Sequence, residues 1–406
     1  MSSEDVVPHI EQVCPVRAVT EGPHGHLFGY YDKPPWDVTG RYMLAMEAPD
    51  VQRMPLPLEK AAIGLVEIAS GRFEPLAQTA AWNWQQGCMA QWMPTAPDRQ
   101  IIYNDVQDGR HVAIVLDIHS GRQRVLPRPI YTVSHDGAFA LSTSFARLSH
   151  TRPVVGYFGV SDPWEHEDHP SEDGIFRMDL ATGKHRLVLS IDQVVNFQHE
   201  PSMDGVKHRF EHVVVNPDGS RFFLLHRWPR ARPTTPWGSR GPGRLFADRL
   251  ISANTSDGGD LHLLCDDFVS HFDWRDPTHL LVFGRRPSHG DRFYLFTDRS
   301  ARYEPVGDDV LTSDGHCTYS PDRRWILADS YPHGGERRTV LLYEVATNTR
   351  IDVGHFASPP PYNRGDIRCD LHPRWNRNGT AVCIDSVHEG SRQMYVIDVS
   401  AITGPT

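Results

Sequence analysis

Short runs in which apolar and polar residues alternate fill most of the chain, and turns rich in Pro, Asp, Asn and Gly separate them. Alternation over four to eight residues reads as a half-buried strand, and turns of that composition read as hairpins. One layout recurs. His212 is followed by Val215, the turn Asn216-Pro217-Asp218-Gly219 and the apolar run Phe222 to Leu225. His271 leads in the same way to Trp274, Asp276-Pro277 and Leu280 to Phe283. His316 leads to Tyr319, Ser320-Pro321-Asp322 and Trp325 to Leu327, and His372 to Trp375, Asn376 to Gly379 and Ala381 to Ile384. Met89 stands at the corresponding place before Trp92. A second pattern, alternating residues that run into a Gly or Asn turn or the chain's end, closes the units at 64–71, 114–121, 176–183, 342–348 and 395–400. Strand units repeating at roughly 58 residues predict an all-β ring, a seven-bladed β-propeller of four-stranded antiparallel blades. Val13 to Val19 is expected to close the ring as the outer strand of the last blade. The 406 residues are read as one domain, with 1–12 as a flexible tail.

Such a ring makes a specific claim about the histidines. Equivalent positions of different blades lie on one circle about the axis, and the first strand of each blade lines the central channel. His212, His271, His316 and His372 are therefore expected to converge. Neutral imidazole nitrogens held together bind a divalent transition metal, manganese or zinc. Asp370, two residues before His372, is expected on the same strand face and adds an oxygen ligand. Buried histidines that each bond their own blade are the competing reading.

Composition narrows the partners. A net charge of −10 argues against a nucleic-acid backbone. No apolar run approaches the ~20 residues that span a bilayer, and the first twelve residues hold no apolar stretch of a secretory signal. A cytoplasmic protein that neither binds membrane nor nucleic acid is the expectation. Six scattered cysteines, without close pairs, fit neither a disulfide scaffold nor a zinc ribbon. Lysine occurs at four positions only (33, 60, 184, 207), so the cationic groups are mostly Arg, whose planar fork grips carboxylates. Candidates beyond the histidine ring follow from that chemistry. Gly29-Tyr30-Tyr31-Asp32-Lys33-Pro34-Pro35 is a proline-stiffened loop, in which Tyr30 is a substrate contact and Tyr31 and Lys33 are catalytic candidates. Arg147, His150, Arg152 and Tyr157 cluster in blade three with groups for carboxylate binding and acid–base work. His208 and Arg209 precede His212 and are expected at the channel mouth.

Residues 208–400 resemble the second half of the oligogalacturonide lyases. The matching stretches are Glu211-His-Val-Val-Val-Asn-Pro-Asp-Gly, Leu225-His-Arg-Trp-Pro229, Ser270-His-Phe-Asp-Trp274, Asp370-Leu-His-Pro373, Asp385-Ser-Val-His-Glu-Gly390 and Met394-Tyr-Val-Ile-Asp398. The resemblance implies a seven-bladed propeller with a divalent metal at its channel and ligands at His271 and His372; His226 and Arg227, in the stretch His226-Arg227-Trp228-Pro229 where the family has His-Glu-Gly-Pro, are expected to be substrate contacts. The chain differs where the family has His-x-His-Pro and this sequence has Asp370-Leu371-His372-Pro373. The implied activity is metal-assisted β-elimination of an acidic, uronate-containing oligosaccharide. A non-catalytic interaction scaffold and a propeller glycoside hydrolase using two carboxylates are the alternatives.

Overall fold

The computed structural model describes residues 9–49, 52–230, 246–307, 309–332 and 336–404. Seven sheets form the blades of a β-propeller. The innermost strands of blades one to seven are Gly25–Leu27, Gln91–Trp92, Thr132–Val133, Arg209–Val215, Val269–Trp274, Cys317–Tyr319 and Arg374–Trp375. Each of the five closing patterns is the third strand of its blade: Ala61–Glu67, Arg110–Asp117, Gly174–Asp179, Arg337–Glu344 and Gln393–Asp398.

Ring closure follows the expected route and adds one strand to it. Val16–Ala18 pairs antiparallel with Gln393–Asp398 and completes blade seven. His9–Glu11, read from sequence as part of a tail, pairs parallel with Thr349–Ala357 as a fifth strand of blade six. Two neighbouring blades are thus tied by one short N-terminal segment.

The apolar residue three places after each leading position explains why the repeat needs it. Trp274 lies against Phe223 of blade four, and its indole N–H reaches the Val214 carbonyl at 3.3 Å. Trp92 reaches the Pro35 carbonyl of blade one at 2.9 Å. At these two positions a large ring with one polar edge fills the gap between blades and satisfies its own donor. Apolar clusters continue across the seams from blade to blade, and one joins Cys383 and Met394 of blade seven to blades one and two.

Blade three departs from the all-strand reading. Helix α1, Phe145–Thr151, and helix α2, Ile191–Asn196, are single short helices started by serine caps. Ser190 and Gln193 form a reciprocal capping box, a spacing visible in the sequence. The acidic insertion after α1 is pinned by Arg147, as described below.

Candidate functional site

The leading histidines do not sit in regular strand. His212 and His372 adopt φ of 53° and 43°, and Met89 at the equivalent place of blade two has 57°. Left-handed backbone is unfavourable for residues with a side chain, and it persists where surrounding structure enforces it. Pairing of the innermost strand is interrupted at 212–213 and again at 270–271. A break in the alternation re-aims one side chain, as a bulge does. Here it re-aims imidazoles. Asp370 and His372 come together through such a turn, not through a shared strand face as the spacing implied.

Three of the imidazoles form a row. Ring centroids lie 4.1 Å apart for His271–His316 and 4.3 Å for His316–His372. Ligand-capable atoms of His316, Asp370 and His372 all lie within 4.8 Å of one another, and the three residues are buried. His271 Nδ1 is 2.8 Å from Asp314, and His316 Nδ1 is 3.0 Å from Asp329. An ionised carboxylate only accepts, so it fixes the proton on Nδ1 and leaves the lone pair on Nε2. His372 Nε2 is buried with no hydrogen-bond partner. Burial lowers the pKa of His271, with His316 adding to it against Asp314, and holds those of His212 and His372 well below the usual value. These three imidazoles are therefore neutral near pH 7, the form that binds a metal or accepts a proton.

His212 stands apart from the row, across the Tyr30 ring. It stacks on Tyr30 at 5.1 Å, while Tyr30 meets His372 at 5.1 Å and His316 at 5.9 Å edge-on. Its Nδ1 lies 3.4 Å from the Gln86 amide and 3.3 Å from the Tyr131 hydroxyl. The Tyr30–Tyr31 loop thus reaches into the channel and divides the ring of histidines. Tyr31 crosses to blade five, where its hydroxyl donates to the Phe272 carbonyl at 3.0 Å and accepts from the Phe272 N–H. Buried Arg374 fixes the loop from blade seven. It donates to the carbonyls of Tyr30 and Gly29 and pairs with both oxygens of Asp385, at 3.1 and 2.8 Å. Gly29, at φ +136°, lies so close to blade two that a Cβ would fall 2.7 Å from the Gln86 carbonyl oxygen. Lys33 is buried, 2.7 Å from the carboxylate of the partly buried Asp32.

Guanidinium groups surround the two carboxylates that flank the histidines. Glu211 takes Arg209 at 2.6 Å and Arg227 at 2.8 Å, with Arg152 at 3.9 Å. Asp370 takes Arg368 at 2.6 Å and Arg338 at 2.8 Å. Burial works against both carboxylates, yet the arginines hold their pKa values below the ordinary range. Burial pushes Arg152 down to about 9, with Glu211 opposing and Arg227, Arg368 and Arg209 adding to the fall. Arginine outnumbers acid in this cluster, so an anion is the charge it lacks.

The remaining sequence candidates fall elsewhere. Arg147 is buried and donates to the backbone carbonyls of His208, Trp164, Glu167 and Asp168, which ties the acidic insertion to the blade. Tyr157 is stacked on Phe145 at 4.2 Å inside an apolar cluster and bonds Asn104. His150 is exposed on α1. His208 and His226 bond each other at 2.8 Å, closed at one end by the Met203 carbonyl and at the other by Arg249. Burial lowers His208 to about 4, so this pair is a neutral, satisfied network. Sequence reasoning passed over Asp314, Asp329, Arg338, Arg368 and Arg374 as site residues, and took Asp385 only as a candidate carboxylate of the glycoside-hydrolase alternative. The spacing Arg368-Cys-Asp370-Leu-His372 was one available signal for them.

Comparisons with known proteins find the fold. No protein-family model and no curated protein matches the sequence. Solved structures do. An oligogalacturonate lyase from Vibrio parahaemolyticus superposes with a TM-score of 0.65 at 12% identity, over 95% of this chain and 94% of that one. An oligogalacturonate lyase in complex with manganese gives 0.65 at 14%, over 95% and 93%. The tricorn protease gives 0.54 at 10%, over 95% of this chain but 35% of that one. At such identities the likeness establishes the architecture, a seven-bladed propeller of four-stranded sheets.

Proposed function

We propose that this protein is a carbohydrate lyase that cleaves a uronate-containing oligosaccharide by metal-assisted β-elimination. The observation that carries the reading is the convergence of buried His316, Asp370 and His372 beside an arginine cluster. The group fits a divalent cation of the manganese or zinc type. His316 is left with its lone pair on Nε2, His372 Nε2 has no other partner, and Asp370 supplies oxygen. When bound, the cation supplies a Lewis acid to the uronate carboxylate. The manganese-bound lyase of the same fold supports this direction.

The residues divide the elimination among them. Arg152, Arg227 and Arg368 bind the uronate carboxylate and stabilise the negative charge that grows on it as the neighbouring C5 proton departs. His271 Nε2, freed as a base by the Asp314 contact on Nδ1, takes that proton. The clamped Tyr30–Tyr31 loop forms the wall against which the sugar is positioned. The C4–O4 bond breaks, the C4–C5 double bond forms, O4 takes a proton from water and leaves as the hydroxyl of the other sugar, and an unsaturated uronate results.

A panel of uronate oligosaccharides tests the reading, with the ultraviolet absorbance of the unsaturated uronate as the signal and neutral oligosaccharides as controls. Product from at least one uronate substrate, lost with chelator and restored by manganese or zinc, is expected. Failure of every uronate substrate in the presence of these ions overturns it.

A further inference from the structure

We propose that Gln85 and Gln86 accept hydrogen bonds from ring hydroxyls of the uronate and restrict the substrate to uronides whose hydroxyls are free, an assignment that rests on the lyase reading above. The need for acceptors follows from the groups already placed. A uronate brings its carboxylate and also hydroxyls, each with a proton to donate. Arginine has no acceptor to offer. The two carboxylates that flank the histidines, Glu211 and Asp370, are each taken by two arginines. Two side-chain acceptors beside them are not engaged. Gln85 and Gln86 are 2% and 1% exposed, and the Oε1 of each is buried with no hydrogen-bond partner among the described residues. A buried acceptor without a partner is costly, and it is kept where a ligand supplies the donor.

The contacts of the two amides leave the oxygen as the free end. Gln85 Nε2 donates to the Arg368 backbone carbonyl at 2.8 Å. A carbonyl only accepts, so this contact fixes which end of the amide carries the protons. Gln86 Nε2 donates to the Tyr131 hydroxyl at 2.8 Å and lies 3.4 Å from His212 Nδ1. One glutamine thus adjoins Arg368, a carboxylate-binding group in the proposed mechanism, and the other adjoins the histidine stacked on Tyr30. In a ring of seven, blade two lies across the channel from blades five and six, which carry His271 and His316. The carbons across a pyranuronate ring from C5 are C2 and C3, and these bear the hydroxyls. A sugar with its C5 proton at His271 therefore turns its hydroxyl edge toward the glutamines. An acyl, methyl or sulfate group on either oxygen removes the proton that the amide would accept.

The loop that carries the pair is fastened before any ligand arrives. Asn83 Oδ1 accepts from the backbone N–H groups of Gln85 at 3.0 Å and Gln86 at 2.8 Å, and Asn83 and Gly87 bond each other's backbone at 3.2 and 3.0 Å. The indole N–H groups of Trp82 and Trp84 donate to the Glu59 and Arg53 carbonyls, both at 2.8 Å. Gly87, at φ +58°, lies so close to blade one that a Cβ would fall 2.7 Å from the Phe28 carbonyl oxygen. Acceptors fixed in advance lose little freedom on binding, which is what selection by hydroxyl position requires.

The test pairs each acceptor with the hydroxyl it would bind. Wild-type protein, Gln85→Met and Gln86→Met are assayed on a uronate disaccharide that the wild type cleaves, and on its 2-deoxy and 3-deoxy versions in the uronate ring, by the ultraviolet absorbance of the product. A buried acceptor left unsatisfied corresponds to about 5- to 150-fold in kcat/KM. The wild type is expected to lose about that much on at least one deoxy substrate. At least one Met variant is expected to lose a similar factor on the parent disaccharide and nothing further when the partner hydroxyl is absent, because hydroxyl and acceptor act as one pair. Any effect of the missing hydroxyl on the chemistry itself is common to all three proteins. The wild-type comparison needs no variant, so it decides even where a variant does not fold. Wild-type turnover unchanged by both deletions, or variant losses that are the same on every substrate, overturns the assignment and leaves the lyase reading intact. If the wild type yields no unsaturated product from any uronide, the lyase reading fails and the assignment falls with it.

Discussion

Replacing Arg374 by Met removes the group that ties the Tyr30–Tyr31 loop to blade seven. Arg374 and Asp385 are nearly fully buried, and the pair is bidentate at 3.1 and 2.8 Å. Burial disfavours the Arg374 charge, and Asp385 more than compensates by raising its pKa. Met keeps most of the side-chain volume, so a cavity contributes little. What remains is a buried Asp385 carboxylate with the Phe28 N–H at 3.3 Å, and two loop carbonyls without their donor. Breaking one side of a buried pair costs about 3–5 kcal/mol. Removing the stranded charge as well, in Arg374→Met/Asp385→Asn, is expected to recover about half of that. Urea unfolding of the wild type, both single variants and the double variant gives the coupling directly, with interacting residues expected at about 0.5–3 kcal/mol. The single Arg374 variant is also expected to lower kcat more than the double variant does, because loop order follows the clamp. A loss under about 1 kcal/mol for Arg374→Met, or purely additive losses in the cycle, refutes the clamp.

Two further outcomes separate scaffold from site. Arg147→Met strips charge-assisted hydrogen bonds from four carbonyls, each worth about 1.5–3 kcal/mol. Water reaches part of the loosened insertion and recovers some of these bonds, so the variant is expected to be destabilised by at least about 3 kcal/mol while activity per folded molecule stays at the wild-type level; a selective loss of kcat at unchanged stability would return Arg147 to the active site. The His208–His226 pair makes the fold acid-sensitive. His208 has a folded pKa near 4 against 6.5 for the free side chain, so its contribution is complete above pH 6.5 and is lost as pH falls from 6.5 toward 4. Urea midpoints measured from pH 7 to pH 4.5 are expected to fall across that window in the wild type, and less in His208→Asn. Parallel pH profiles contradict the account.

The ring was legible because its cause is local and repeated. Alternating strands, turns of Pro, Asp, Asn and Gly, and an apolar residue three places after the leading position, Trp at 92, 274 and 375, recur along the chain, so blade starts and third strands emerge from spacing. The meeting of His271, His316 and His372 followed from symmetry, since equivalent positions must share a circle. What spacing could not convey was backbone that breaks the repeat. The left-handed turns at His212 and His372 aim side chains where strand alternation does not. Pairings between distant blades were also hidden: Tyr31 with Phe272, Arg374 with Gly29, and Arg338 with Asp370 join segments whose proximity exists only in the closed ring. Arg147 and Tyr157 misled for a related reason. Arg and Tyr serve a buried network as readily as an active site, and only their partners tell the two apart. Short helices such as α1 escaped because seven residues carry too few turns for a helical period to stand out.

The most direct measurement is a calorimetric titration of manganese or zinc into chelator-treated protein near neutral pH, for the wild type and for His372→Ala. His372 is chosen because its Nε2 is buried without any other partner, so its loss removes a ligand and breaks no hydrogen bond at that nitrogen. Binding of one equivalent by the wild type, abolished or weakened at least about a hundredfold in the variant, is the expected result. No binding to folded wild-type protein, or binding unchanged in His372→Ala, contradicts the metal centre on which the lyase reading stands.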